Sequence, residues 1–171
     1  MKKTCEFKNE KYNIIGYTLS EEDDSEKYKT SITYGEESYS RWIISINGKD
    51  LVFNNTGNNI VNEKHVIIIE DELNIITDFN YYKIDLNTYK CIYHIELDDL
   101  TCIIKKYRNG FLIQMDTSIV YIENDKIIWL FESEDLIDNI TILDDDTIKV
   151  EEFSEGSNIF YNLNKDGQRI D

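Results

Sequence analysis

Tyr82-Lys-Ile-Asp-Leu-Asn87-Thr-Tyr-Lys90 reads as a strand that alternates its side chains between two faces and then runs into an asparagine turn. The same strand-turn-strand wording returns as Trp42-Ile-Ile-Ser-Ile-Asn47-Gly-Lys49, Tyr121-Ile-Glu-Asn124-Asp-Lys126 and Tyr161-Asn-Leu-Asn164-Lys165-Asp-Gly167. The four turn asparagines lie 40, 37 and 40 residues apart, so the chain reads as a repeated β-scaffold. Turns are the natural place for asparagine, whose short side chain tolerates left-handed backbone and bonds to nearby amides.

Hairpins fill the space between these turns. Thr101 to Arg108 leads into Asn109-Gly110, followed by Phe111-Leu-Ile-Gln-Met115. An Asn-Gly pair between apolar runs predicts a two-residue turn with positive φ at both residues. His65 to Ile69, Glu70-Asp-Glu72 and Leu73 to Ile76 give the second unit its hairpin, and Asn139 to Leu143, Asp144-Asp-Asp146 and Thr147 to Phe153 give the fourth. The first unit fits least well, as Tyr28 to Thr33, Tyr34-Gly35 and Glu36 to Ile46, with Asn54 to Asn59 as the loop behind it. Residues 1–27 read as an edge segment with one or two strands, an acidic loop Ser20 to Ser25 and the only plausible short helix, Glu21 to Tyr28.

Composition supports strands throughout. The 171 residues contain no proline and no alanine, while twenty-eight are isoleucine and twelve tyrosine, so the best helix former is missing and pleat-compatible side chains dominate. The fold class expected is all-β: an antiparallel meander of four strand-turn-strand units of roughly 40 residues, arranged as a propeller-like open sheet or a β-sandwich. One domain covering 1–171 is expected at this length.

These units resemble the four-stranded blades of β-propellers, whose last two strands are often joined by an apolar-Asp-Leu-Asn-x-x-Lys turn, as in Ile84-Asp85-Leu86-Asn87-Thr88-Tyr89-Lys90. The resemblance covers residues 28–171 and implies a scaffold that binds a protein or small ligand.

Thirty-four acidic against 18 basic residues give a formal charge of -16. Such a surface repels phosphate backbones and anionic lipid and attracts basic proteins, so nucleic acid and membrane are not expected as partners. Cys5, Cys91 and Cys102 are an odd number without paired spacing, which suits reduced thiols in a cytoplasmic protein. No secretory leader is read at the start, and no apolar run reaches the length of a membrane span.

Catalytic and metal chemistry find little to stand on. Cys91 and His94 are three apart in a predicted strand and so point to opposite faces, and Asn162-x-Asn164-x-Asp166-Gly167 starts like a calcium loop but lacks its twelfth-position acid. His65 and His94 sit in no nucleophile motif, the seven glycines form no phosphate cradle, and the paired acids lie at turns and strand ends. No catalytic residue, metal or cofactor is expected.

A binding role remains. Asp98, Asp99, Asp144, Asp145, Asp146, Glu151 and Glu152 are the candidate partner-facing acids, and Tyr81 and Tyr82 the candidate aromatic anchors. Trp129, within Ile127-Ile-Trp-Leu-Phe131, is expected in the core. In size, charge and lack of catalytic motifs the chain is similar to immunity proteins of bacterial polymorphic toxins, a resemblance that implies neutralisation of a basic toxin. A phage DNA mimic shares the acidity, but its charge should form regular stripes rather than gather at turns.

Overall fold

The structure, a computed structural model, describes residues 3–7, 11–20, 32–35, 40–55 and 61–170. Glu21 to Tyr28, expected as a helix, and most of the Asn54 to Asn59 loop lie outside the described residues. The described chain is almost wholly strand, with a single 3-10 turn at Glu63–His65. Among the described residues no helix is long and apolar enough to cross a membrane.

The strands form four sheets, each with its own hydrogen-bonded ladder. The first holds β1 (Lys3–Phe7), β2 (Ile14–Ser20), β3 (Ile32–Tyr34), β4 (Ser40–Ile46) and β5 (Lys49–Asn55) in the order β1-β2-β4-β5-β3. The second is the meander β6 (Val66–Ile69), β7 (Glu72–Thr77), β8 (Asn80–Asp85) and β9 (Lys90–Glu96). β10 (Thr101–Tyr107), β11 (Gly110–Met115), β12 (Ser118–Glu123) and β13 (Lys126–Glu132) form the third. The fourth is β14 (Leu136–Asp144), β15 (Thr147–Ser154), β16 (Ser157–Asn164) and β17 (Arg169–Ile170).

All four repeat asparagines fall at one structural position. Asn47, Asn87, Asn124 and Asn164 occupy the hairpins β4–β5, β8–β9, β12–β13 and β16–β17, the last antiparallel turn of each sheet. They do not act alike there. Asn47 and Asn124 adopt left-handed backbone (φ 50° and 51°), whereas at the Asn87 turn Tyr89 takes that conformation (φ 57°) and Asp85 Oδ1 receives the Asn87 and Thr88 amides at 2.7 and 2.9 Å. At the fourth, Asn164 Oδ1 accepts from the Asp166 and Gln168 amides, and Gly167 supplies the positive φ.

Two expectations are corrected. The first sheet draws its opening antiparallel strands from residues 3–20, so the repeat starts well before residue 28; β3 with Tyr34 joins at the far edge, parallel to β5, and Tyr34-Gly35 is not a hairpin turn. In the β10–β11 hairpin the turn residues are Arg108 and Asn109, with Arg108 at φ 48°, and Gly110 already pairs with Tyr107. Gly110 is needed for contact rather than for turn geometry, because a Cβ there would lie 1.9 Å from the Ile122 carbonyl oxygen.

The chain divides into two compact units, Met1–His94 and Ile95–Asp171. In the first, Trp42, Ile44, Ile46, Leu51 and Phe53 of the first sheet share a core with Leu73, Ile75, Tyr82 and Ile84 of the second. In the second unit, Tyr107, Leu112, Ile119 and Tyr121 of the third sheet meet Ile137, Ile140, Ile148, Val150, Tyr161 and Leu163 of the fourth. Each unit is thus a pair of sheets packed face to face.

Candidate functional site

Burial separates the fourth sheet from the others. On the faces turned away from the two cores just described, the central cross-strand pairs Ile43–Val52, Ile76–Tyr81 and Ile113–Val120 are no more than 3% exposed. Strands β7, β11 and β12 are accordingly buried at nearly every position. β15 instead alternates strictly, burying Ile148, Val150 and Glu152 and turning Thr147, Lys149, Glu151 and Phe153 outward.

That outward face carries large apolar side chains. Leu136 stands opposite Phe153, at 54% and 50% exposure, and Phe160, at 52%, lies one row along, opposite Glu151. Lys149 Nζ sits 4.5 Å from the centre of the Phe160 ring, and Asn158 Nδ2 donates to Glu151 Oε1 at 2.6 Å. Apolar exposure of this size on one sheet face is the usual mark of a contact surface. Sequence reading missed it, although the alternation Thr-Ile-Lys-Val-Glu-Glu-Phe in β15, against the continuous Phe-Leu-Ile-Gln-Met of β11, carried the signal.

The acidic candidates divide sharply. Asp144, Asp145 and Asp146 are exposed at the β14–β15 hairpin, which is held by the Asp146 amide donating to Asp144 Oδ1 at 2.8 Å and by Tyr107 OH donating to the Asp145 carbonyl at 2.8 Å. Asp98 is exposed as well. Asp99 turns inward: its carboxylate accepts from the Leu100 and Thr117 amides, both at 2.7 Å, and from the Thr117 and Ser118 hydroxyls at 2.9 and 3.3 Å. Burial opposes its ionisation, but these bonds outweigh burial and hold its pKa below the usual aspartate range.

Glu152 is buried on the core side of β15, accepting from Tyr161 OH and Ser133 OH, and burial together with that bond holds the Tyr161 phenol well above its ordinary pKa. Glu151 is half-buried on the outer face. Tyr81 and Tyr82 are 1% and 3% exposed and cannot anchor a partner from the surface. Tyr81 OH donates to Asn74 Oδ1 at 2.7 Å inside the second sheet, and Tyr82 stacks on His94 at 4.5 Å. Asp99, Glu152, Tyr81 and Tyr82 are therefore structural groups; Asp98, Asp144, Asp145, Asp146 and Glu151 stay at the surface. Trp129, expected in the core, is half-buried at its margin, its Nε1 donating to the Lys165 carbonyl at 2.9 Å.

The remaining reactive groups are occupied locally. His65 is buried against Trp42 (ring centres 4.8 Å apart), its Nδ1 accepting the Asn62 amide; burial first, then Lys64, lowers its pKa to about 4 against the pull of Asp78. His94 Nε2 lies 2.8 Å from Asn80 Oδ1. Burial, then the bond to Asp116, pushes the Cys102 thiol up to about 12, and burial raises Cys91 as well. Among the described residues no group of three or more His, Cys, Asp or Glu could hold a metal ion.

No protein-family model matches the chain, and no curated protein matches it in sequence. Among solved structures, BamB from Moraxella catarrhalis superposes with a TM-score of 0.54 at 11% identity, over 75% of this chain and 42% of its own. The scaffold is propeller-like. BamB is a propeller protein, and at this identity the likeness is one of fold alone. The chain spans less than half of BamB's length. BBS1N, crystallised in complex with ARL6DN, and the Pan2 WD40 domain of Neurospora crassa align over 98% and 92% of this chain and 48% and 61% of their own. Their TM-scores of 0.46 and 0.42, at 6% and 7% identity, are too low to carry an argument.

Proposed function

We propose that the chain is a non-catalytic protein-binding domain whose propeller-like scaffold holds acidic hairpin tips toward a basic partner. The observation that supports this best is the exposed Asp144-Asp145-Asp146 tip, braced by an aspartate turn and by Tyr107. A braced cluster of like charge focuses the field of a chain already at -16, accelerates encounter with a cationic surface and loses little backbone freedom on contact. Within that class we favour an inhibitor of the immunity-protein kind, in which the carboxylates occupy positions on a basic toxin where phosphates would bind. Exposed acid gathers at hairpin ends such as Asp144 to Asp146, whereas the outer face of the fourth sheet sets Lys149 among Glu151 and Asp138, which speaks against the regular charge stripes of a DNA mimic.

Affinity capture with the wild type and with Asp144→Lys/Asp145→Lys/Asp146→Lys tests the reading. A stoichiometric basic partner should be retained by the wild type, with affinity falling about tenfold or more in the triple reversal and steeply with salt. Equal binding by both proteins rejects the electrostatic reading and favours the alternative, a scaffold or sensor for a neutral protein or small ligand. The immunity reading further requires that the partner expressed alone be toxic and that co-expression of this chain relieve the toxicity.

A further inference from the structure

We infer that the outer face of the fourth sheet is a self-association surface, on which a second copy of this chain packs sheet against sheet. This stands apart from the reading of the acidic tips. The face is apolar at Leu136, Phe153 and Phe160, each at least half exposed. Sheets in both units of this fold bury such faces against another sheet, so a facing sheet is the occupant for which a twisted β-surface is shaped.

Charge decides which sheet that is. In a chain at -16, the outward side of β14 to β16 between the hairpin ends holds one lysine, Lys149, against two acids, Glu151 and Asp138 at the β14 bulge; its other residues are apolar, Thr or Asn. A basic partner gains little from a face so much less acidic than the chain as a whole, and a second copy meets less repulsion there than at the acidic hairpin ends. The face is also self-complementary, as a two-fold interface requires. An axis parallel to the sheets, midway between the two copies and crossing over β15 at residue 152 at a right angle, returns the Leu136–Phe153–Phe160 patch to its own footprint, with these side chains of each copy over the Asn139, Glu151 and Asn158 positions of the other. Lys149 and Glu155 lie three residues to either side of that axis, so the cation of each copy approaches the exposed acid at the β15–β16 turn of the other.

Sedimentation velocity of the full chain over a concentration series tests this. The wild type should show a concentration-dependent dimer, and Phe153→Glu/Phe160→Glu should be monomeric with an unchanged far-ultraviolet circular dichroism spectrum. Lys149→Glu should weaken the dimer about tenfold, and Lys149→Glu/Glu155→Lys should restore it. A wild type that stays monomeric up to its solubility limit overturns the inference, as does a dimer that persists in the double phenylalanine variant. Neither outcome bears on the Asp144–Asp146 reading, whose charge-reversed variant keeps this face intact.

Discussion

At the scale of single residues, His65 connects the fold to pH. Its Nδ1 accepts the Asn62 amide and its ring lies on Trp42, so the folded chain requires the neutral imidazole. With the pKa lowered from 6.5 to about 4, the unfolded chain binds a proton between these values that the folded chain does not. The stabilisation is complete above pH 6.5 and is lost as the pH falls toward 4, to a limit of about 3 kcal/mol. Urea unfolding at pH 7.5 and pH 5 should show that loss in the wild type and a much smaller one in His65→Gln; equal losses would trace the acid sensitivity to another group. This role was not legible in the sequence, because Trp42 lies 23 positions away. The Asp98-Asp99 doublet shows the same limit: two adjacent acids read identically, and only the fold, which brings Thr117 and Ser118 to Asp99, decides which turns inward.

At the scale of elements, hairpins were legible and their internal geometry was not. Asn47-Gly48 and Asn124-Asp125 both take left-handed backbone as such pairs should, yet the Asn109-Gly110 turn is displaced by one residue because Gly110 is claimed by the approach of the β12 backbone. The β16–β17 turn is likewise shaped from outside. Gly167, at φ +75°, lies beneath the Trp129 indole, where a Cβ would meet the ring at 2.6 Å, whereas Gly156, at φ +81°, has open space around it. Gly156→Ala should cost about 1–2 kcal/mol of left-handed strain. Gly167→Ala should cost about 1–3 kcal/mol more, because the ring must also be displaced. Denaturant midpoints measure both, and in a Trp129→Ala background the two alanine costs should converge. If they stay apart, the ring is not the cause.

At the scale of the whole chain, composition foretold the β-class and the acidity, and the repeat foretold four strand-turn-strand units, each of which ends in a sheet of its own. What it could not foretell was where large apolar side chains would stay exposed, since the outer face of the fourth sheet exists only once β14, β15 and β16 are in register. A formal charge of -16 on 171 residues makes self-repulsion a general cost of folding, because the compact state holds the carboxylates closer together than the unfolded chain does. Lys11 and Lys83 do pair with Asp71 and Glu72, but 18 cations cannot neutralise 34 acids whatever their arrangement. Screening should therefore relieve more repulsion than it removes attraction. Thermal unfolding at pH 7.5 should move to higher temperature as sodium chloride rises from about 10 to 150 mM, over which the screening length falls from about 30 to 8 Å. A melting temperature that drops over that range would mean that specific ion pairs outweigh the net charge. The same series separates folding from recognition, since salt that stabilises this chain should weaken its hold on a basic partner.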